Sequence, residues 1–375
     1  MLVTSTDAAH SLADALDVPL GDRPTAVALP VGSRGPGSLH AQQVDAQVRL
    51  ERHWRDVRDY LSALLAWGGV GVVEAEEIVL LPGLDELFAL IDLRGQVASG
   101  DYDTVIVDCA PTAETLKLLS LPDAVSWYVD RVLGPGRRIA RALRPLARSL
   151  GSSGPVPVPD DNVFDAVEYL QDQLTGVHEL LRDPGRASVR LVVNPERLVI
   201  AEAERTATTL SLFGYAVDAV VVNRVLPDEV SDPYLARWRD RQENHLATVR
   251  TAFAPIPVLT APLLDDELVG IEGLSRLGDT VYGDRDEVAV LHGARPVSLE
   301  EDGSDHVLRI ALPFATKDDL ELHRRRGDLH VKVAGVRRTV PLPGILQRRD
   351  IARARLSDGW LEVRFRAVTT PAGRP

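Results

Sequence analysis

The stretch that most constrains this chain is Val105-Ile106-Val107-Asp108-Cys109-Ala110-Pro111-Thr112. A β-branched run between Asp103-Thr104 and Asp108 reads as a parallel strand buried on both faces, because such strands need not alternate apolar and polar residues. It ends in a carboxylate, followed by small residues and the helical sequence Glu114-Thr115-Leu116-Lys117-Leu118-Leu119. The carboxyl ends of strands in an open α/β sheet line the ligand crevice, so an aspartate there is placed to hold magnesium beside a nucleotide. Thr112 is the expected cap of the following helix. Taken alone, a turn whose aspartate only satisfies backbone amides explains the stretch equally well.

The same pattern opens the chain. Met1-Leu2-Val3 runs into Thr4-Ser5-Thr6-Asp7 and then into a helical sequence over residues 8–16. Two such turns read as two sides of one phosphate and metal site. Asp7 is placed to orient or deprotonate an attacking water, and Asp108 to hold magnesium through its water shell. His10 and Ser11 read first as polar groups at a helix start.

The chain of 375 residues, 45% hydrophobic, is long enough for two domains and a sizeable core. Its single cysteine, Cys109, excludes an internal disulfide and a zinc site built from cysteine pairs, which fits a reducing cytosol. A net charge of -13 argues against general nucleic-acid binding. That charge changes sign along the chain. Residues 295–375 carry 16 Lys and Arg against 11 Asp and Glu, whereas residues 1–294 carry 26 against 44, which marks a domain boundary near residue 295.

Between these landmarks, residues 44–67 have apolar side chains at helical spacing, including Trp54 and Tyr60, and Pro82-Gly83 opens another helix through about Gln96. Residues 123–182 form an arginine-rich helical insertion, broken at Gly134-Pro135 and Pro145, whose last part, 162–181, is a regular amphipathic helix. Strands are expected at 189–194, 217–224 and 256–259, with helices over 196–213 and 267–278. Asn223 stands at a strand's carboxyl end, where an amide can both donate to and accept from a purine edge. Residues 297–366 turn to short, regularly spaced strands at 307–312, 320–323, 329–333, 338–342, 352–356 and 360–365, a compact β-sandwich. The expected architecture is α/β: a doubly wound, mostly parallel sheet plus a C-terminal all-β sandwich. Its domains are 1–285, a linker at 286–296, the sandwich at 297–368 and a tail at 369–375.

Ser5-Thr6-Asp7-Ala8-Ala9-His10-Ser11-Leu12, the Asp108 segment with Leu116-Lys117-Leu118-Leu119, and Val221-Val222-Asn223-Arg224, in that order, resemble the ArsA-type anion-transporting ATPases. That family also includes the eukaryotic tail-anchored-protein targeting ATPases. The resemblance covers about residues 1–280, and Pro82-Gly83-Leu84-Asp85-Glu86 sits where those proteins have a Pro-Gly-acidic turn. It implies a P-loop NTPase fold, ATP and magnesium as cofactors, ATP hydrolysis and a cytoplasmic homodimer. It also implies a membrane-protein client or membrane partner, reached through the helical insertion. Asp7 and His10 fall on the first switch, with the aspartate facing the hydrolytic water, and Asp108 falls on the second, at the magnesium. Asn223 falls at the adenine, with the turn at Pro262-Leu263 closing that pocket, and Thr112 joins the nucleotide-binding set. Residues 297–366, with Val340-Pro341-Leu342-Pro343 and Leu356-Ser357-Asp358-Gly359-Trp360-Leu361, resemble the α-crystallin domain of small heat-shock proteins.

The sequence departs from the pattern at one central place. The family's phosphate loop, Gly-x-x-x-x-Gly-Lys-Ser/Thr, does not occur: the lysines are Lys117, Lys317 and Lys332, none preceded by glycine. In relatives that loop and its strand come before the segment that here begins at Met1, and the strand belongs near the middle of the sheet. The expectation is an open reading frame read from an internal codon, the complete protein being an ATPase; a non-hydrolytic pseudo-ATPase acting as a binding or chaperone-like module is the rival. Ala8 replaces the proline usual after the switch aspartate. A lone cysteine cannot make the namesake's three-thiolate arsenite site, and no Cys-x-x-Cys pair supports a zinc-bridged dimer.

Overall fold

The computed structural model describes residues 1–6, 11–30, 37–44, 84–109, 161–325 and 327–367. The chain divides into two compact units, Met1–Leu180 with Val269–Glu272, and Leu181–Leu268 with Gly273–Pro375.

The first unit holds β1 (Leu2–Ser5), α1 (Ser11–Leu16), β2 (Thr25–Val27), β3 (Leu39–Gln43), α2 (Leu84–Ser99), β4 (Val105–Asp108) and most of α3 (Asp161–Arg182). Its sheet runs β2-β3-β1-β4, with β1 parallel to both neighbours and β2 antiparallel to β3. Leu2 and Ala41 are fully buried. Arg94 on α2 donates to Asp172 O (3.0 Å) and Gln173 Oε1 (2.9 Å) on α3. Gly176 permits that close approach, since a Cβ there falls 2.3 Å from the guanidinium.

The reading of β4 as a strand covered on both faces is corrected here. The strand is parallel, but among the described residues it stands last in its sheet, and Ile106 is 43% exposed. An edge position leaves part of its surface without the cover that a central parallel strand has.

The second unit begins its sheet with β5 (Val189–Val193), then α4 (Arg197–Phe213), β6 (Val217–Val225), α5 (Pro233–Phe253), β7 (Val258–Pro262) and α6 (Gly270–Tyr282), whose first turn belongs to the first unit. The order β5-β6-β7 is all parallel. The described residues thus fall in two sheets, one mixed and one all parallel, rather than the single one expected. The physical reason is that no described strand pairs with the outer edge of β4 or of β5, and Val192 on β5 is 64% exposed. β7 starts two residues later than the sequence suggests, because Ile256 N donates to Phe253 O (2.8 Å) and closes a turn first.

α4 ends on Gly214 at φ +89, a left-handed cap that non-glycine residues adopt at a cost, with its N–H on Ser211 O (3.0 Å) and Tyr215 N on Leu210 O (2.9 Å). α5 starts where Asp232 accepts from Tyr234 N (2.9 Å) and Leu235 N (3.0 Å), with Pro233 at the first helical position.

The C-terminal strands are β8 (Val297–Asp302), β9 (Asp305–Ala311), β10 (Leu320–Arg325), β11 (Asp328–Val333), β12 (Val336–Pro341), and, after the short α7 (Gly344–Gln347), β13 (Arg349–Ser357) and β14 (Trp360–Ala367). Two antiparallel sheets, β13-β14-β9-β8 and β10-β11-β12, enclose one apolar core that includes Ile310, Leu329, Val331, Leu361 and Phe365. Leu212 of α4, fully buried, belongs to that same core, so the sandwich is seated on the helix. Arg338 on β12 donates to Leu212 O and lies 5.8 Å from the centre of the Phe213 ring, and Arg182 Nε donates to Phe213 O (2.7 Å). Two guanidinium groups thereby meet carbonyls at the electronegative end of α4.

The segment between sheet and sandwich is fastened by an ion pair. Asp218 on β6 is wholly buried and faces Arg190 on β5 (3.4 Å), while its other oxygen accepts from Leu291 N (3.2 Å). Arg190 also donates to Tyr282 Oη (3.0 Å), Ala289 O (2.7 Å) and Glu287 O. Removing one partner of such a buried pair strands the other. Asp218→Ala is expected to cost about 3 kcal/mol in denaturant unfolding; a loss below about 1 kcal/mol would show that the pair is not what ties residues 287–291 to the sheet.

Candidate functional site

The strand-end aspartate is held by its neighbour in register. Ser5 on β1 lies opposite Asp108 on β4 and opposite Gln43 on β3, so one polar row, Gln43-Ser5-Asp108, crosses three strands at their carboxyl ends. Ser5 is fully buried, and its hydroxyl donates to Asp108 Oδ2 at 3.1 Å. Thr6 donates twice to Asp108 O, from its N–H (3.0 Å) and its hydroxyl (3.3 Å). Asp108 is itself exposed, with one carboxylate oxygen held by the Ser5 hydroxyl. An oriented, solvent-facing carboxylate suits a magnesium ion that keeps most of its water and takes its remaining ligands from phosphate.

Behind this row the sheet is polar as well. Gln42, 1% exposed, donates to Thr4 Oγ1 (3.2 Å) and Asp92 Oδ2 (3.0 Å), which joins β3, β1 and α2. The sequence reading missed Ser5, Gln42 and Gln43 as contributors to the strand ends. For Gln42 and Gln43 the local sequence, Leu39-His40-Ala41-Gln42-Gln43, is mostly polar, which is the opposite of what marks a strand. Asp7, His10 and Thr112 lie outside the described residues.

In the second unit, Asn223, Pro262 and Leu263 come to the carboxyl ends of adjacent parallel strands. Val225 pairs with Pro262, after a register shift that begins at Val222, and Leu263 N donates to Val225 O (2.7 Å). Asn223 is half-buried, and its Oδ1 accepts from Arg224 N (2.9 Å) within that shift; Arg224 has φ 57. Leu263 is 45% exposed. Gln242 on α5 bonds Leu226 N (2.8 Å) and Arg224 O (3.3 Å), which fixes the bulge from the helix side. The side-chain amide of Asn223 thus has its oxygen engaged locally, and its NH₂ is a donor at the strand end.

No group of three or more His, Cys, Asp or Glu with metal-binding geometry occurs among the described residues. No described helix is long and apolar enough to cross a membrane.

A model of the anion-transporting ATPase family matches residues 1–283, and a model of the HSP20-like domain found in ArsA matches residues 303–365. The chain belongs to the ArsA family of anion-transporting ATPases. Among its relatives, the putative arsenical pump-driving ATPase 1 of Aquifex aeolicus is 33% identical over 95% of this chain and 90% of its own length. The putative arsenical pump-driving ATPase of Chlorobaculum tepidum is 32% identical over 97% of this chain and 88% of its own. ATPase ASNA1 homolog 1 of Paramecium tetraurelia is 26% identical over 73% of this chain and 81% of its own. ArsA membership covers the α/β portion with both pairs of strand ends, and the HSP20-like match covers most of the sandwich.

Within this ArsA chain, Cys109 lies at the surface directly after Asp108, with its Sγ 3.8 Å from Val107 O. Its thiol is pushed up to about 11, first because the protein packed around the strand end penalises the thiolate and second by the Asp108 carboxylate. A thiol raised this far is protonated at neutral pH and gains nucleophilicity only as pH climbs toward that value. Carboxymethylation of Cys109 at pH 7.5 is therefore expected to run about a hundred-fold slower than that of an ordinary cysteine; labelling at the ordinary rate would contradict this.

Proposed function

We propose that this ArsA-family protein couples binding and hydrolysis of magnesium-ATP to the handling of a client or anion, as a cytoplasmic homodimer. Asp108 holds magnesium through water, kept in place by the Ser5 hydroxyl and by its own strand's pairing with β1. Asp7 orients the attacking water, with His10 on the same switch, and Thr112 joins the phosphate side. Asn223 meets the adenine edge through its NH₂, under the turn of Pro262 and Leu263. When bound, magnesium-ATP supplies the charge neutralisation and the transferable phosphoryl group. The observation that carries the reading is the exposed, hydrogen-bonded carboxylate at the end of β4, in register with Ser5 and Gln43.

The name arsenical pump-driving ATPase among the relatives supports anion handling as the coupled work, and membrane-protein handling rests on the resemblance to the tail-anchored-protein targeting ATPases. Arsenite itself is disfavoured by the single, protonated thiol. The arginine-rich residues 123–182 are the proposed contact for a membrane-protein client.

The 375 residues contain no Gly-x-x-x-x-Gly-Lys-Ser/Thr loop, and hydrolysis requires one to be supplied. The missing motif also favours a second reading, a non-hydrolytic binding or chaperone-like module in which the sandwich acts on α4.

The two readings separate by turnover. Residues 1–375 alone are expected to bind ATP weakly in calorimetry and not to hydrolyse it. A form carrying a strand, a Gly-x-x-x-x-Gly-Lys-Thr loop and a helix ahead of Met1 is expected to turn over. Asp108→Asn in that form is expected to cost about 10–100-fold, the effect of losing a group one shell out from a metal. An inactive loop-bearing form, or one indifferent to Asp108→Asn, would leave the non-hydrolytic module.

A further inference from the structure

The outer face of the sheet β10-β11-β12 carries a pair of histidines that the nucleotide reading does not use. Side chains alternate along a strand. Leu322 and Val331 turn to the sandwich core, so their neighbours His323 and His330 turn away from it. The register sets these two histidines directly opposite each other, and Thr339 on β12 completes the row. Opposed residues of an antiparallel pair have Cβ atoms about 5 Å apart, a span that two imidazole rings can close over one small cation.

The two rings are held differently. His330 is half-buried, and its Nδ1 shares a hydrogen bond with the Thr339 hydroxyl (3.0 Å). With Nδ1–H as the donor, the lone pair stands on Nε2, and a ligating histidine is ordinarily oriented in this way through its other nitrogen. His323 is exposed and makes no hydrogen bond among the described residues, so its ring is free to turn toward the same ion. The adjacent carboxylate is already engaged: Glu321 accepts from Lys332 (2.5 Å) and is held below the usual carboxylate range by that contact first, then by Arg337 and His323. On the other side of the row Arg325 stands opposite Asp328.

We propose that His323 and His330 bind one late first-row divalent cation, zinc or copper, through one nitrogen of each ring, with water at the remaining positions. The donors select the class: neutral imidazoles suit zinc and copper, whereas magnesium and calcium take oxygen ligands. No third His, Cys, Asp or Glu completes the set among the described residues, so the site is weaker than a closed, four-ligand structural zinc site. Its consequence follows from its place. β10 is an edge strand whose described partner is β11, and an ion shared by the two histidines staples one strand to the other. Because the folded sheet brings the pair together, the ion stabilises the folded sandwich.

The test is calorimetric titration of the full chain with zinc chloride, in a weakly coordinating buffer near pH 7.5, beside His323→Gln and His330→Gln. Both side chains face away from the core, and an unchanged metal-free thermal melt verifies that each variant folds. Each substitution is expected to weaken the same binding event at least about ten-fold, since losing a ligand costs no less than losing a group that orients one. Zinc is expected to raise the melting temperature of the parent and to leave that of the double variant unmoved. A second arm needs no variant: copper(II) below one equivalent is expected to broaden the imidazole NMR signals of His323 and His330 ahead of the rest of the nine histidines. Zinc binding that neither substitution weakens places the ion elsewhere and overturns the proposal. So does a parent with no zinc-dependent event and no preferential broadening of those two signals.

Discussion

The parallel pairing of β1 with β4, and the register it imposes, is the constraint on which the candidate site depends. Each residue of Leu2–Ser5 faces one of Val105–Asp108, so the two strands end together and the buried hydroxyl of Ser5 falls opposite the Asp108 carboxylate. A slip by one residue would turn every side chain to the other face of the sheet and leave the carboxylate without its partner. The same register carries on to Gln43, which makes the end of the sheet a polar lip rather than a single acidic residue. Thr6, bonded twice to Asp108 O, carries the hydrogen bonding between the two strand ends one residue beyond β1.

The second unit is organised by α4, which serves two layers. Its residues from Thr206 to Phe213 are all buried, because one side lies on β5 and β6 and another enters the sandwich through Leu212. The two arginines at its carboxyl end, and the Arg190–Asp218 pair that fastens residues 287–291, make the HSP20-like domain part of a continuous body with the sheet that carries Asn223. Phe253 at the end of α5 and Phe314 in the sandwich, with ring centroids 5.0 Å apart, add a further apolar contact. A displacement of α4 at the strand ends would therefore be felt in the sandwich, since packed interiors transmit strain.

The parts of this fold that could be read from the sequence are those whose local pattern and tertiary position agree. Val189–Val193 and Val217–Val225 are largely apolar and β-branched, and α4 has both an apolar stripe and a glycine cap. The positions of Asp108, Asn223, Pro262 and Leu263 at or near strand carboxyl ends were legible because such strands carry them. Three kinds of element were not. β3 has the sequence Leu-His-Ala-Gln-Gln, and it is a strand because β1 and β2 pair with it and Gln42 finds partners on both sides. β8 is largely exposed, so its sequence carries little of the apolar signal of a core strand. α5 buries Leu246, Val249 and Phe253 only in its second half, so the first half has no inward apolar stripe to betray it, although Asp232-Pro233 is a start signal that could have been used. The covered environment expected for β4 failed for a different reason: edge or centre is decided by what pairs beside a strand, which local sequence does not contain.

The central claim is that the lip formed by Gln43, Ser5 and Asp108 is the floor of the magnesium and nucleotide crevice. An experimental structure of a loop-bearing form with magnesium and a non-hydrolysable ATP analogue tests it most directly. The account predicts the metal one water away from the Asp108 carboxylate, about 4 Å from its oxygen, the Ser5 hydroxyl still on Oδ2, and Asp7 on the same side of the terminal phosphate. Nucleotide bound elsewhere, or Asp7 and Asp108 on opposite faces of the sheet, would contradict it.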